Sequence, residues 1–225
     1  MDFELTRPDV SLTDYALAIE CAAFAVLLIR RPATDRVVRK WFVVFFASIA
    51  AASLLGGTMH GFFEYSLSPV RGFLWNTTLL SILVTSMATW SVGAILQLDS
   101  QAARWVQRFA LAQILVLSLV VLFVTQEFVI AIVGYLPATL FLFISLSLAY
   151  LRRRESALAW GVAGLALTFV AAAVQQLKLT MHPVYFDHNA LYHVIQFVAL
   201  WMIYRAAKWI STAHPLVRRT YDFKT

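Results

Sequence analysis

Residues 41–63 read WFVVFFASIAAASLLGGTMHGFF and contain no Asp, Glu, Lys or Arg. An α-helix of this length rises about 34 Å at 1.5 Å per residue, which is enough to cross a hydrocarbon core of about 30 Å. Apolar side chains occupy most positions, so contact with lipid is favourable along nearly the whole run. The run therefore predicts a transmembrane helix.

Six further apolar runs of similar length lie along the chain, and polar segments separate them. The seven predicted spans cover approximately residues 11–30, 41–63, 72–97, 105–125, 128–150, 156–177 and 188–210. The shortest connection follows the fourth span, where a buried Glu127 would be costly, so a tight turn is expected there. Neither a repeat nor a linker divides residues 1–225, which indicates one transmembrane domain.

The composition excludes a water-soluble globular protein. Hydrophobic residues make up 61% of the chain and charged residues 13%, and the mean hydropathy is +0.75. Soluble domains carry about 25% charged residues, because water must cover their surface. The expected fold class is therefore an all-α integral membrane protein, a seven-transmembrane helix bundle.

The basic residues indicate how this bundle is oriented. All but three of the 18 Lys and Arg residues lie in or beside the connections after spans one, three and five, or near the C-terminus. Because Lys and Arg are enriched on the cytoplasmic side, the N-terminus is expected outside the cytoplasm and the C-terminus inside. Membrane insertion and anionic lipid headgroups account for the net charge of +6, so lipids are the expected partners and no nucleic acid is needed. The expected location is the bacterial inner membrane, or an equivalent plasma membrane or endomembrane.

Polar side chains gather in the outer half of the predicted bundle. Ser53, His60 and Glu64 share one face of span two, because seven and four residues separate them. Other members of this group are Asp14, Glu20, Asn76, Gln176, Lys178, Asn189, Tyr192, His193 and Gln196. Polar residues inside a membrane usually face the bundle interior. The sequence therefore predicts a polar pocket that opens outward and is lined by spans two, three, six and seven.

Simpler explanations exist for several of these residues. Gly56 and Gly57 are typical of close helix packing, and Asp187 is a typical N-cap of span seven. His60 and His193 lie in apolar runs and are harder to explain in this way, although a hydrogen-bonded structural pair is one interpretation. Gln176, Lys178, Tyr192, Gln196 and Glu20 are the candidate ligand-binding residues.

A histidine late in span two, followed by HNALYHV at residues 188–194, resembles the CREST superfamily of seven-helix membrane proteins. That superfamily includes alkaline ceramidases, GPI-anchor-remodelling lipid hydrolases and progestin/adipoQ receptors. The resemblance implies a zinc ion held by three histidines, with a zinc-bound water attacking a lipid amide or ester. Zinc lowers the pKa of such a water to about 7.

The zinc-ligand positions of this pattern are only partly filled. His60 and His193 match the span-two histidine and the second histidine of an HxxxH motif. Asn189 stands where the first histidine of that motif is expected. His188 is one residue early and points about 140° away from His193 on a regular helix. The resemblance thus implies a metal site of His60, His193 and either His188 or Asn189.

The catalytic positions also depart from the superfamily. Gly56 stands where a serine is expected, and Ser53 lies one turn deeper. Near the start of span three, Asn76 is the closest polar residue to an expected acidic position. Ser53, Asn76 or Glu64 would then orient water or an oxyanion.

The sequence therefore leaves two main functions open. One is a zinc-dependent hydrolase of a lipid amide or ester, and the other is a non-catalytic receptor or accessory subunit that binds a lipid or a small ligand. Haem held by His60 and His193 is a third alternative. A transporter is a fourth, although broken helices and paired half-repeats are not apparent in the sequence and Pro137 is an isolated kink candidate.

Overall fold

The computed structural model describes residues 5–182 and 185–212, and these form seven α-helices with one π-helical turn. The helices are α1 (Pro8–Arg30), α2 (Arg36–Thr58, extended by the π turn Met59–Phe63), α3 (Pro69–Gln97), α4 (Ser100–Phe123), α5 (Val129–Arg153), α6 (Ser156–Gln176) and α7 (His188–Thr212).

The seven predicted spans are confirmed as helices that are long and apolar enough to cross a membrane. Each observed boundary lies within a few residues of the predicted one, and the connection at Thr125–Glu127 is indeed short. The all-α prediction is also confirmed for the described residues, where the only β-type pairing is one isolated bridge between His182 and Phe186. The orientation of the N-terminus stays a prediction.

Local capping explains where several helices begin. Asp35 accepts hydrogen bonds from the backbone N–H groups of Val37 and Val38, both at 3.0 Å, and so begins α2. Ser68 caps α3, with Pro69 in its first turn, and Asp99 caps α4. These side chains satisfy N–H groups that a helix leaves unpaired at its start. The caps explain why α2, α3 and α4 begin a few residues before the predicted apolar runs.

Six of the helices form a closed ring. Around the ring, α1 packs on α2, α2 on α3, α3 on α5, α5 on α6, α6 on α7, and α7 back on α1. Helix α4 lies outside the ring against α3, with a minor contact to α5. The end of the bundle at which α1 begins is called the N-terminal face below, and the opposite end the C-terminal face.

A cluster of large apolar side chains fills the half of the ring nearer the C-terminal face. Phe24 of α1 stacks on Tyr204 of α7 with ring centroids 4.2 Å apart, and Phe46 of α2 packs on both rings. Leu142, Leu146 and other buried residues of α5 to α7 complete this core. The ring is therefore closed in this half, and any internal space lies toward the N-terminal face.

Candidate functional site

A cavity of about 560 Å³ opens inside the ring in the half nearer the N-terminal face. Its wall is mostly apolar, and all six ring helices contribute to it. The polar and ionisable side chains in its lining are Asp14, Ser53, His60, Thr78, Thr85, Tyr135, Thr139, Thr168, Gln175, Gln176, Asn189, Tyr192, His193 and Gln196. The volume is in the usual range of small-molecule sites, roughly 300–1,000 Å³.

The cavity reaches from the N-terminal face to the middle of the bundle. Gln175 and Asn189 lie near the face, at the end of α6 and the start of α7, and are joined by a 3.2 Å hydrogen bond. Thr168 and Gln196 each lie seven residues deeper in these two helices, a depth of about 10.5 Å. The first pair is called the mouth of the cavity and the second pair its floor.

A π-helical turn ends α2 and carries His60. Such turns are rare and change the direction of the side chains that follow them. Here His60 Nδ1 lies 2.7 Å from Glu64 Oε2, on the next turn. That carboxylate holds the imidazole ring, and among the described residues nothing is hydrogen-bonded to Nε2. His60 is therefore an oriented imidazole at the cavity wall.

His193 of α7 is held by two residues of α1. Its Nδ1 lies 3.0 Å from Thr13 Oγ1, and its Nε2 lies 3.4 Å from Asp14 Oδ1. Both Asp14 and His193 are buried, at 5% and 9% exposure. Buried polar groups in a membrane are tolerated when they are paired in this way. The two histidines thus have separate partners, and the structural histidine pair considered as one interpretation is not formed.

A charged cluster crosses the N-terminal face beside the mouth. Arg7 forms an ion pair with Asp187 and lies 3.7 Å from Glu64. The backbone N–H of Thr6 donates to the Gly61 carbonyl at 2.9 Å, which fixes the segment before α1 on the π turn. Thr6, Arg7, Glu64 and Asp187 are called the clasp. The clasp joins the beginning of α1, the end of α2 and the beginning of α7.

Asp187 lies just outside the spans and acts as the N-cap of α7. Its Oδ1 accepts from the backbone N–H groups of Asn189 and Ala190, at 2.8 and 3.0 Å. Burial raises the pKa of Asp187, but the N–H groups of Ala190 and Asn189 and the guanidinium of Arg7 outweigh it. The pKa of this carboxyl therefore lies below its ordinary value, and the folded protein favours the charged form.

This pKa shift predicts a loss of stability in acid. Because the pKa of Asp187 is lower in the folded state, its contribution is complete above the ordinary Asp pKa of about 3.9 and disappears as the pH falls through the lowered value. Asp187→Asn keeps an N-cap residue but removes the charge, so we expect a loss of about 1 kcal/mol at pH 7. Thermal unfolding in detergent at pH 7, 5 and 3 measures both effects.

The matched control for this prediction is Asp99→Asn, which changes an exposed N-cap at the C-terminal face. It is expected to change the unfolding midpoint much less, since Asp99 has no ion pair among the described residues. An equal loss in the two variants at pH 7 would contradict a role for the Arg7 ion pair.

The structure brings most of the predicted site residues to the cavity. Ser53, His60, Gln176, Asn189, Tyr192, His193 and Gln196 line it. Five others lie elsewhere. Glu64 belongs to the clasp, Lys178 is exposed beyond the end of α6, and Asn76 and Glu20 are outside the lining. His188 is also outside it, with Nδ1 4.0 Å from Asp187 Oδ2.

Sequence reasoning placed the pocket in the correct half of the bundle but missed two of its walls. Tyr135 and Thr139 of α5 line the cavity, and α1 contributes Leu17 beside Asp14. The predicted span five is a largely apolar run, so its isolated Tyr and Thr residues did not indicate a face toward the cavity. The sequence identified Asp14 as a polar residue within a span. It did not show that α1 packs against α7, which brings Asp14 to the cavity.

The ionisable side chains around the cavity are candidate metal ligands. Within the part of the chain that the structure describes, no group of three or more His, Cys, Asp or Glu lies close enough to hold a metal ion. Both ring nitrogens of His193 already have partners, and His60 offers only Nε2. As these side chains stand, the donor set does not fit the expected zinc site, and zinc stays a prediction.

The seven apolar helices and the cavity between them, with its mostly apolar wall and few polar groups, indicate an integral, multi-pass membrane protein with an internal candidate binding site. The chain belongs to the family described as "Family of unknown function (DUF6962)", whose sequence model matches residues 10–212. No curated protein and no solved structure matches the chain. The resemblance to the CREST superfamily therefore stays a prediction.

Proposed function

We propose that this protein binds an amphiphilic molecule, a membrane lipid or a small amphiphile, in the cavity between its ring helices. The observation that carries the proposal is the lining: an apolar wall with ionisable side chains from three separate helices, Asp14, His60 and His193. Ionisable residues inside a membrane are costly and usually mark a functional site. In this proposal the N-terminal face lies outside the cytoplasm, and the ligand comes from that side or from the outer leaflet.

The proposal predicts that the protein retains an amphiphile through purification or binds one saturably. The chain would be purified in a mild detergent, and its extract compared by mass spectrometry with that of the empty detergent. Saturable binding of tritiated dodecan-1-ol provides a measurement that needs no knowledge of the natural ligand. A protein without a retained amphiphile and without saturable binding would contradict the proposal.

Lipid hydrolysis is the second candidate function, and one observation favours it. Each cavity histidine contacts a carboxylate, His60 at 2.7 Å from Glu64 and His193 at 3.4 Å from Asp14. Carboxylate–histidine pairs of this kind orient imidazoles for metal binding or for proton transfer. Within the described residues, the present donor set does not fit a metal ion.

Metal analysis distinguishes the two candidates. Native protein would be purified without chelators, and its metals measured by mass spectrometry beside His60→Ala and His193→Ala. About one zinc per chain, lost in both variants, would favour the hydrolase and justify a screen of lipid amides and esters. A retained amphiphile with no turnover and no zinc would favour the binding function.

A further inference from the structure

Gln196, at the floor of the cavity, has one end of its side-chain amide without a partner. The residue is only 6% exposed, and its Nε2 donates to Thr168 Oγ1 at 3.3 Å. Within the described ranges, no donor reaches its Oε1. Buried polar atoms are nearly always hydrogen-bonded. Gln196 lines the cavity while its Oε1 is covered and unpaired, so a small rotation of the amide would bring this oxygen to a ligand that completes it.

The hydroxyl of Thr168 determines which end of the amide is unpaired. Thr168 Oγ1 donates its single proton to the Gly164 carbonyl oxygen at 3.1 Å, one turn earlier in α6. It can therefore only accept from Gln196, which places the Nε2 group of the amide against it. The oxygen end is thus the free one, and a ligand group that meets it must be a hydrogen-bond donor.

Threonines on other helices of the lining also present acceptors to the cavity. Thr139 donates to the Tyr135 carbonyl oxygen at 2.9 Å, and Thr78 donates to that of Leu74 at 2.9 Å. These hydroxyl protons are used within their own helices, so only the oxygen lone pairs remain for the cavity. The hydroxyls of Ser53 and Tyr192 are exceptions, because neither has a hydrogen bond within the described ranges and both can donate as well as accept.

We infer that the ligand of this cavity carries a hydroxyl or N–H group at its buried end, which donates to Gln196 Oε1. The inference rests on the proposed binding function and names the ligand class: alcohols, amines or amides with an apolar body. A ligand that ends in a hydrocarbon, an ether or an ester would leave the amide oxygen unpaired. Such ligands would bind more weakly, because a buried acceptor without a donor costs binding free energy.

Competition between two nearly isosteric probes tests this inference. Dodecan-1-ol and 1-fluorododecane differ in that only the alcohol donates a hydrogen bond. Both would compete with tritiated dodecan-1-ol for the detergent-purified protein, with concentrations given as mole fractions in the micelle to remove partitioning differences. We expect the alcohol to compete about tenfold better, the value of one hydrogen bond to a buried acceptor.

The variant Gln196→Met removes the acceptor at similar size, and we expect it to bring the ratio of the two probes close to one. The control Gln113→Met makes the same change in α4, where Gln113 accepts from Trp90 Nε1 outside the cavity. In Gln113→Met the alcohol should still compete about tenfold better than 1-fluorododecane.

Equal competition by the two probes in the wild-type protein would overturn the inference and leave the binding function standing. The wild-type comparison needs no variant. It therefore tests the inference even if Gln196→Met misfolds. Absence of saturable binding by either probe would contradict the binding function as well.

Discussion

Gly164→Leu is expected to destabilise the protein by about 3 kcal/mol or more. Gly164 lies where α6 crosses α7, and a Cβ atom there would stand 2.7 Å from the Ala199 carbonyl oxygen and 2.9 Å from Ile203. A backbone oxygen inside α7 cannot move aside without moving the helix. Small residues at such crossings allow close approach of membrane helices, and a branched side chain would separate α6 from α7.

Thermal unfolding and size-exclusion chromatography in detergent measure this effect. The control is Gly72→Leu in the first turns of α3, where no heavy atom lies within 4 Å of the added Cβ. We expect a monodisperse control close to the wild type and an aggregated or early-unfolding Gly164 variant. A Gly164→Leu protein as stable as the control would show that α6 and α7 do not cross as closely as described.

Gly56→Phe is expected to abolish ligand binding while the fold is retained. Gly56 lines the cavity, and the nearest atoms to an added Cβ are Asp14 Oδ2 and Thr78 Cγ2, both at 3.6 Å. This is ordinary contact distance, so a side chain can leave the backbone here and extend into the open volume. A phenyl ring would then occupy part of the space of the ligand, and affinity for dodecan-1-ol should fall at least about 100-fold, or about 2.7 kcal/mol.

Gly56→Ala serves as the matched control, because a methyl group fits at 3.6 Å and leaves most of the cavity open. Binding should fall by a small factor only, and both variants should unfold near the wild-type temperature. Undiminished binding to Gly56→Phe, in a protein that still unfolds cooperatively, would place the ligand outside this cavity.

The spans could be predicted because length and apolarity are properties of a continuous stretch of sequence. Residues 41–63 are long and apolar enough to cross a membrane whatever surrounds them, and the structure extends them into a helix that begins at Arg36. The gathering of polar residues at one end was visible for the same reason, since depth in a span follows from residue number. His60, His193 and Gln196 were identified in this way.

Contacts between distant helices were not predictable. That Thr13 and Asp14 hold His193 depends on α1 packing against α7, which no local pattern encodes. The exclusion of α4 from the ring is equally hidden, because its apolar sequence resembles those of its neighbours. The π turn at Met59–Phe63 also has no reliable signature, although it determines where His60 points.

Closure of the ring by α1 and α7 has a consequence for biosynthesis. The two helices are held at the N-terminal face by Arg7 and Asp187, and at the opposite face by the Thr34 backbone N–H, which donates to the Ser211 carbonyl at 3.0 Å. These partners are separated by nearly the whole chain. Helix α1 therefore cannot make these contacts until α7 has been synthesised. During translation Asp14 lacks the imidazole that it later contacts. Loss of α7 would therefore leave the ring open and the buried Asp14 carboxyl group without its imidazole partner.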